Sequence, residues 1–218
     1  MIILALTDIH GKAEPIEKIR TQLQQSDVAC VAGDITHFGG AREAGQVIGP
    51  VCRYAPRVLA VHGNCDYPEV VDYLEEKGIN LHARAQTIDG IGFLGLGGSL
   101  VTPFHTPIEY AETDLRRFLD QAKAMLQPDS PMVLVSHQPP ANTACDKLNS
   151  GQHVGSQMLH AFIEEYQPLV CFTGHIHEAV ATDRIGKTWI VNPGQLGSGR
   201  YAYAEIENNR AEVEIRSF

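Results

Sequence analysis

His175 and His177 stand two residues apart in FTGHIHEAV (172–180), at the end of the apolar run LVCF (169–172). An extended chain turns residues two apart toward one face. Two imidazoles side by side pack poorly in a core, because each needs a polar partner. They make good metal ligands, since neutral imidazole is the commonest one. Side chains of the same competence follow four other apolar runs: Asp8 and His10 after IILAL, Asp34 after VACVA, Asn64 after RVLAVH, and His137 after MVLVS. Two carboxylates, one amide oxygen and four imidazoles exceed what a single four- to six-coordinate ion needs. A mixed nitrogen and oxygen set without thiolate fits Mn, Fe, Zn, Ni or Co better than a purely soft or purely hard ion. Two ions about 3.5–4 Å apart, sharing one carboxylate, would use all seven ligands.

Each motif also has a plainer reading. Asp8-Ile9-His10 suits a helix cap as well as a metal. Gly33-Asp34 and Gly63-Asn64 suit ordinary turns, and a lone His137 suits a buried structural histidine. The joint pattern is harder to explain this way, because independent turns have no reason to place a ligand after every strand.

The elements that must position these residues follow from periodicity. IILAL (2–6), VACVA (28–32) and RVLAVH (57–62) alternate with helical spacing over 13–25 and 41–53. Strand–helix–strand alternation predicts a parallel sheet. After Gly90 the pattern predicts strands at 91–98, 132–136 and 169–173, with helices over 109–126 and 154–166. From 179 onward, AVATDRI, KTWIVN, YAYAEIE and AEVEIRS are short alternating stretches broken at 185–187 and 207–210, the pattern of antiparallel hairpins. The economical architecture is α/β: one domain over 1–218, a four-layer sandwich of two mixed β-sheets flanked by helices. In such sheets ligands bind beyond the carboxyl ends of the strands, where all seven candidates fall.

Composition narrows the function classes. A hydrophobic fraction of 44% and a charged fraction of 20% describe a globular chain, and 218 residues supply ample core. The net charge of −9 argues against an extensive nucleic-acid surface, although bound cations would reverse the local sign. No run approaches the roughly 18 apolar residues of a membrane helix, and MIILALTD lacks the basic leader of a signal peptide. The cysteines (Cys30, Cys52, Cys65, Cys145, Cys171) form no C-x-x-C pair, which points to a reduced, cytoplasmic setting.

In order along the chain, Asp8-x-His10, Gly33-Asp34, Gly63-Asn64-Cys65-Asp66, His137 and Gly174-His175-Ile176-His177 resemble the signature of the calcineurin-like metallophosphoesterases. That signature is D-x-H, G-D, G-N-H-[DE], a lone histidine after a strand, and G-H-x-H. The resemblance implies the same two-sheet sandwich and a dinuclear centre. Asp8, His10 and His177 would hold one ion together with a bridging Asp34; Asn64, His137 and His175 would hold the other. It implies two divalent cations, Mn first, with Fe, Zn, Ni, Co or Mg as alternatives. The implied activity is hydrolysis of phosphodiesters, small-molecule or cyclic-nucleotide, by a hydroxide held between the ions. The alternatives are a phosphomonoesterase or protein phosphatase, or a non-catalytic phosphoesterase-like scaffold.

Within G-N-C-D, Asn64, Cys65 and Asp66 are the expected catalytic residues. Cys65 occupies the position of the family's histidine, as in the small bacterial and archaeal phosphodiesterase branch that this segment resembles. A thiol with a reference pKa of about 8.5 is a weaker hydrogen-bond partner and acid than imidazole. Its presence either shifts the enzyme toward diesters and activated leaving groups or marks a small packed residue. His153, in a glycine-containing loop before a helix, and Arg200, after Asn192-Pro193-Gly194, are expected to meet the substrate phosphate. A capping loop and a solvated arginine are the plainer alternatives. His62 suits a supporting or core position, and His37, His82, His105 and His160 suit surface or structural ones.

Overall fold

Alternate side chains of the first strand face two different apolar layers, and that division organises the molecule. The computed structural model describes residues 1–218. Its elements run β1 (Ile2–Leu6), α1 (Glu14–Lys18), α2 (Arg20–Gln25), β2 (Val28–Ala32), α3 (Ala41–Tyr54), β3 (Val58–Val61), α4 (Pro68–Glu76), β4 (Ala85–Ile88) and β5 (Ile91–Leu96). They continue with β6 (Ser99–Leu100), β7 (Glu109–Tyr110), α5 (Glu112–Lys123), β8 (Met132–Ser136), α6 (Gln157–Tyr166), β9 (Val170–Phe172), β10 (Ala181–Ile185), β11 (Thr188–Asn192), β12 (Arg200–Glu207) and β13 (Arg210–Ser217).

One sheet has the order β13-β12-β1-β2-β3 and the other β10-β11-β9-β8-β5-β4. Both are mixed: β1, β2 and β3 run parallel with β12 antiparallel to β1, and β5, β8, β9 and β11 run parallel between antiparallel edges. Leu4 and Leu6 pack outward on Ile16, Leu23, Val47 and Val51 of the helices. Ile3 and Ala5 pack inward against Phe93, Val133, Val135 and Phe172 of the second sheet. On that sheet's far side, Leu94, Leu134 and Cys171 meet Leu115, Leu119, Leu159 and Phe162 of α5 and α6. The layers are therefore helix, sheet, sheet, helix. Strands buried on both faces explain the unbroken apolar runs such as VACVA. No helix is long and apolar enough to cross a membrane.

Several boundaries differ from the sequence expectation. The helix expected over 13–25 divides at Ile19, whose ψ of 17° leaves the helical region. The helix expected from 109 begins at Glu112, because Glu109 and Tyr110 pair with Ser99 and Leu100. The one expected from 154 begins at Gln157, where the Ser156 hydroxyl accepts the Leu159 N–H. Helix α4 was not expected; it starts with Pro68 at its first position and buries only Val70 and Leu74. The two C-terminal hairpins form, but in different sheets: β10–β11 edges the second and β12–β13 edges the first.

Candidate metal centre

The parallel strands β1, β2, β3, β8 and β9 bring their carboxyl ends together, and the backbone beyond them is bent hard. Asp8, His10, Asp34 and His175 have φ of 51°, 49°, 46° and 66°. These left-handed values are uncommon for residues other than glycine and persist where the surroundings over-determine them, typically at active sites and ligand clamps. Neighbouring glycines make room. A Cβ on Gly63 would overlap Asp34, and one on Gly174 would overlap Thr7 and Asp8. The loops also bind each other directly, His10 N–H to the Asp34 carbonyl at 2.9 Å and Asp8 N–H to that of Gly33 at 3.1 Å.

Asp8, His10, Asp34 and His177 form one cluster, with ligand atoms all within 4.8 Å of one another. His177 Nε2 lies 3.0 Å from Asp8 Oδ1 and 3.2 Å from His10 Nε2. His10 Nε2 is 3.8 Å from Asp34 Oδ2, while His10 Nδ1 is buried without a partner. Burial works to raise the Asp8 carboxyl, but the hydrogen bond from His177, the charges of His137 and His177, and the Thr7 hydroxyl hold it at about 2. Asp8 is therefore a carboxylate near neutrality.

Asn64, His137 and His175 gather on the other side of Asp34. His137 Nε2 lies 2.9 Å from Asn64 Oδ1 and 3.4 Å from Asp34 Oδ1. The His175 ring centre is 5.2 Å from that of His137. Burial and the neighbouring His137 push His175 down to about 4, so its ring is neutral with a lone pair to offer. The two Asp34 oxygens thus face the two groups separately.

The donor set fits a cation. His137 Nδ1 is 2.9 Å from the Ala32 carbonyl, which can only accept, so Nδ1 carries the proton. In the neutral ring Nε2 then presents a lone pair to two oxygens that also present lone pairs. With that ring neutral the three atoms are all acceptors, a set that a divalent cation would reconcile. A backbone carbonyl holding the outer nitrogen of a ligating imidazole is the ordinary way of fixing its tautomer.

Asp66, expected among the catalytic residues, stands behind the site. It is fully buried and accepts from Gly63 N–H at 2.7 Å, Ile35 N–H at 3.1 Å, and the Thr36 N–H and hydroxyl, each at 2.7 Å. It clamps the Asp34 loop to the Asn64 loop. Burial and the Asp34 charge push its carboxyl up to about 6 against those hydrogen bonds. Cys65 donates its N–H to Asp34 Oδ1 at 2.9 Å and is half-buried. Burial, then the Asp34 carboxylate, push its thiol up, which keeps it protonated.

His153 is tied elsewhere: its Nδ1 lies 2.6 Å from Asp146 Oδ1, and Asp146 also holds the N–H groups of Thr143 and Gly155. Arg200 Nε donates to the Pro193 carbonyl at 3.2 Å, in the loop beside the His177 backbone. Two supporting residues escaped the sequence reading. Thr7 Oγ1 bridges Asp8 Oδ2 at 2.8 Å and the Ala32 carbonyl at 2.9 Å, and the Gln195 amide contacts His177 Nδ1. Thr7 could have been found from its place beside Asp8; Gln195 lies 18 positions from its histidine and carries no local signal.

The model of the calcineurin-like phosphoesterase superfamily domain matches residues 1–209. An uncharacterized protein of Methanocaldococcus jannaschii is 40% identical over 197 residues, which cover 88% of this chain and 88% of that one. A solved structure from Thermus thermophilus is similar at a TM-score of 0.75 and 19% identity, over 98% of this chain and 97% of its own. A dimetal phosphatase from Danio rerio is similar at 0.71 and 12%, over 100% and 96%. These two share the fold, two mixed sheets flanked by helices. By its match to the family model over nearly its whole length, the chain belongs to the calcineurin-like phosphoesterase superfamily.

Proposed function

We propose that this chain hydrolyses phosphodiester bonds in small molecules, cyclic nucleotides included, with two divalent cations, manganese foremost. The observation that carries the proposal is the meeting of His137 Nε2, Asn64 Oδ1 and Asp34 Oδ1 beside the Asp8, His10 and His177 group. When bound, two such cations supply Lewis acidity that acidifies water and draws charge from phosphoryl oxygens. Asp34, with one oxygen toward each group, would bridge them.

The other residues define what remains. Cys65 keeps its proton, so it supplies no thiolate nucleophile, and hydrolysis needs no covalent enzyme intermediate. As an acid it is poorer than the family's histidine, which favours esters whose leaving oxygen departs without a proton. Asp66 is a positioning residue. Arg200 would supply an outer contact to the phosphate, and His153 retains only Nε2 for one. The dimetal phosphatase of similar fold supports a phosphatase-type chemistry. Five free cysteines support a reducing cytoplasm, and the net charge of −9 supports a small substrate over a polynucleotide or an anionic membrane surface.

The test is hydrolysis of an aryl phosphodiester beside the matching monoester, with metal-stripped protein reloaded with Mn, Ni, Zn or Mg. Diester turnover that requires metal and falls at least about 100-fold in Asp34→Asn is the expected result. Preferred monoester turnover would assign a phosphomonoesterase. Metal binding without turnover of either ester would leave a binding scaffold.

A further inference from the structure

Five large apolar side chains are exposed: Phe38, Tyr67, Val101, Phe104 and Met125. All but Met125 belong to loops anchored on the dipeptide Asn64-Cys65 or its immediate continuation. Phe38 N–H donates to the Cys65 carbonyl at 3.1 Å, Tyr67 N–H to that of Gly39 at 3.1 Å, and Ile108 N–H to that of Asn64 at 3.2 Å. The two apolar rims are therefore tied to adjacent carbonyls, that of the candidate metal ligand Asn64 and that of Cys65. Residues 35–40 and 97–108 contain no Asp, Glu, Lys or Arg, although the chain carries a net charge of −9.

Scattered exposed apolar residues are normal and need no function. Phe38 is different, because its φ is 55°. A bulky side chain in that region is a genuine outlier and costs conformational energy. Phe38 is 44% exposed, so burial does not repay that cost. Its ring sits edge-on to His37 at 5.0 Å between centres, and His37 sits edge-on to His10 at 5.4 Å. The strained aromatic is thus two ring contacts from the metal cluster, beside the position where the family's histidine is replaced by Cys65.

We infer that Phe38 and Tyr67 form an aromatic wall that receives a planar aromatic substituent of the phosphate ester, an aryl ring or a nucleobase. This rests on the phosphoesterase proposal above and adds the class of group bound beside the phosphate. Stacking accepts any flat ring because every one has a π-face. The wall selects planarity over aliphatic chains and does not read a hydrogen-bonding pattern.

The test is calorimetric binding of phenylphosphonate and methylphosphonate to the manganese-loaded protein. Phenylphosphonate is expected to bind about tenfold more tightly. Phe38→Ala and Tyr67→Ala are each expected to shrink that ratio, and the double variant to bring it near unity. Phe38→Asn, which tolerates the left-handed region, is expected to lose the preference while raising the thermal midpoint. A ratio near unity in the wild type, a ratio that survives the double variant, or a lower midpoint for Phe38→Asn overturns the inference. So does sedimentation showing that the variants dissociate a dimer, which would assign the aromatics to a subunit contact. Diester hydrolysis without phenyl preference would spare the phosphoesterase proposal and remove only the wall. Neither phosphonate binding, with no turnover, would remove both.

Discussion

The His137 side chain is wholly buried, whereas His10 and His177 keep 15% and 38% of theirs in solvent. His137 is held from behind by the Ala32 carbonyl, and Asn64 by the loop that Asp66 clamps. His177 is held by the side chains of Asp8 and Gln195. One half of the centre is therefore positioned by backbone and fixed when the sheets form. In the other, Asp8 is buried and backbone-tied, but His177 is positioned by side chains at a solvent-facing rim. The buried half should couple metal binding to folding, and the exposed half should exchange its ion first.

Asp34 serves both halves, so its replacement has the largest effect. Asp34→Asn is expected to reduce bound metal from two ions to one or fewer, measured by elemental analysis after dialysis. In metal-free protein the same change removes a buried negative charge that faces lone pairs, while its remaining carbonyl oxygen still accepts from Cys65 N–H. The metal-free variant should be more stable than wild type by about 1 kcal/mol, by denaturant titration. A variant that loses metal and also loses metal-free stability would mean that the acceptors are already satisfied without a cation.

His137→Ala and His177→Ala separate the halves. Truncating the buried ring leaves a cavity and removes one of the two donors to the Ala32 carbonyl, an expected loss of about 2–4 kcal/mol. Truncating His177 is expected to cost under about 1 kcal/mol while still releasing an ion. Equal destabilisation would erase the distinction between backbone-held and side-chain-held donors.

A third test lies behind the buried half, where His82 accepts the Gly97 N–H at 2.9 Å and its ring packs on His62, 4.7 Å between centres. Burial, with the Arg117 charge assisting, pushes His82 down to about 4. Its folded pKa lies below the unfolded value of about 6.5, so the unfolded chain takes the proton first. Stability from this residue is complete above that value and is lost as pH falls from 6.5 through 4, about 3 kcal/mol in all. His82→Gln should flatten the profile across that window relative to wild type. An unchanged slope would place the acid sensitivity in other groups.

The sequence made the ends of the strands legible because each run is buried on both faces and stops at polar or glycine-rich residues. It left other features hidden for physical reasons. Asp66 reads as catalytic beside Asn64, but its partners Ile35 and Thr36 lie about thirty positions upstream and only the fold brings them behind it. His153 reads as a phosphate contact in a glycine loop, yet folding turned its Nδ1 to Asp146. Helix α4 buries two residues in nine, too little to register as a periodic face. The hairpins β10–β11 and β12–β13 alternate alike, so nothing local says which sheet each will edge.

Gln195 offers the smallest and most selective test of the two halves. The Gln195 amide touches the outer nitrogen of His177; turned so that Oε1 accepts the Nδ1 proton, it would hold the ring as a ligand, and acceptor partners of this kind are worth about 10–100-fold in metal affinity. Gln195 is half-buried, so Gln195→Ala should move folding stability by no more than about 0.5 kcal/mol. Manganese calorimetry should show the weaker of two binding steps falling by about tenfold, the tighter one unchanged. Gln195→Glu should restore or exceed the original affinity, because a carboxylate accepts the Nδ1 proton and raises the basicity of Nε2. If both steps weaken together, Asp34 transmits the disturbance across the centre, and the halves are one site whose donors differ only in exposure.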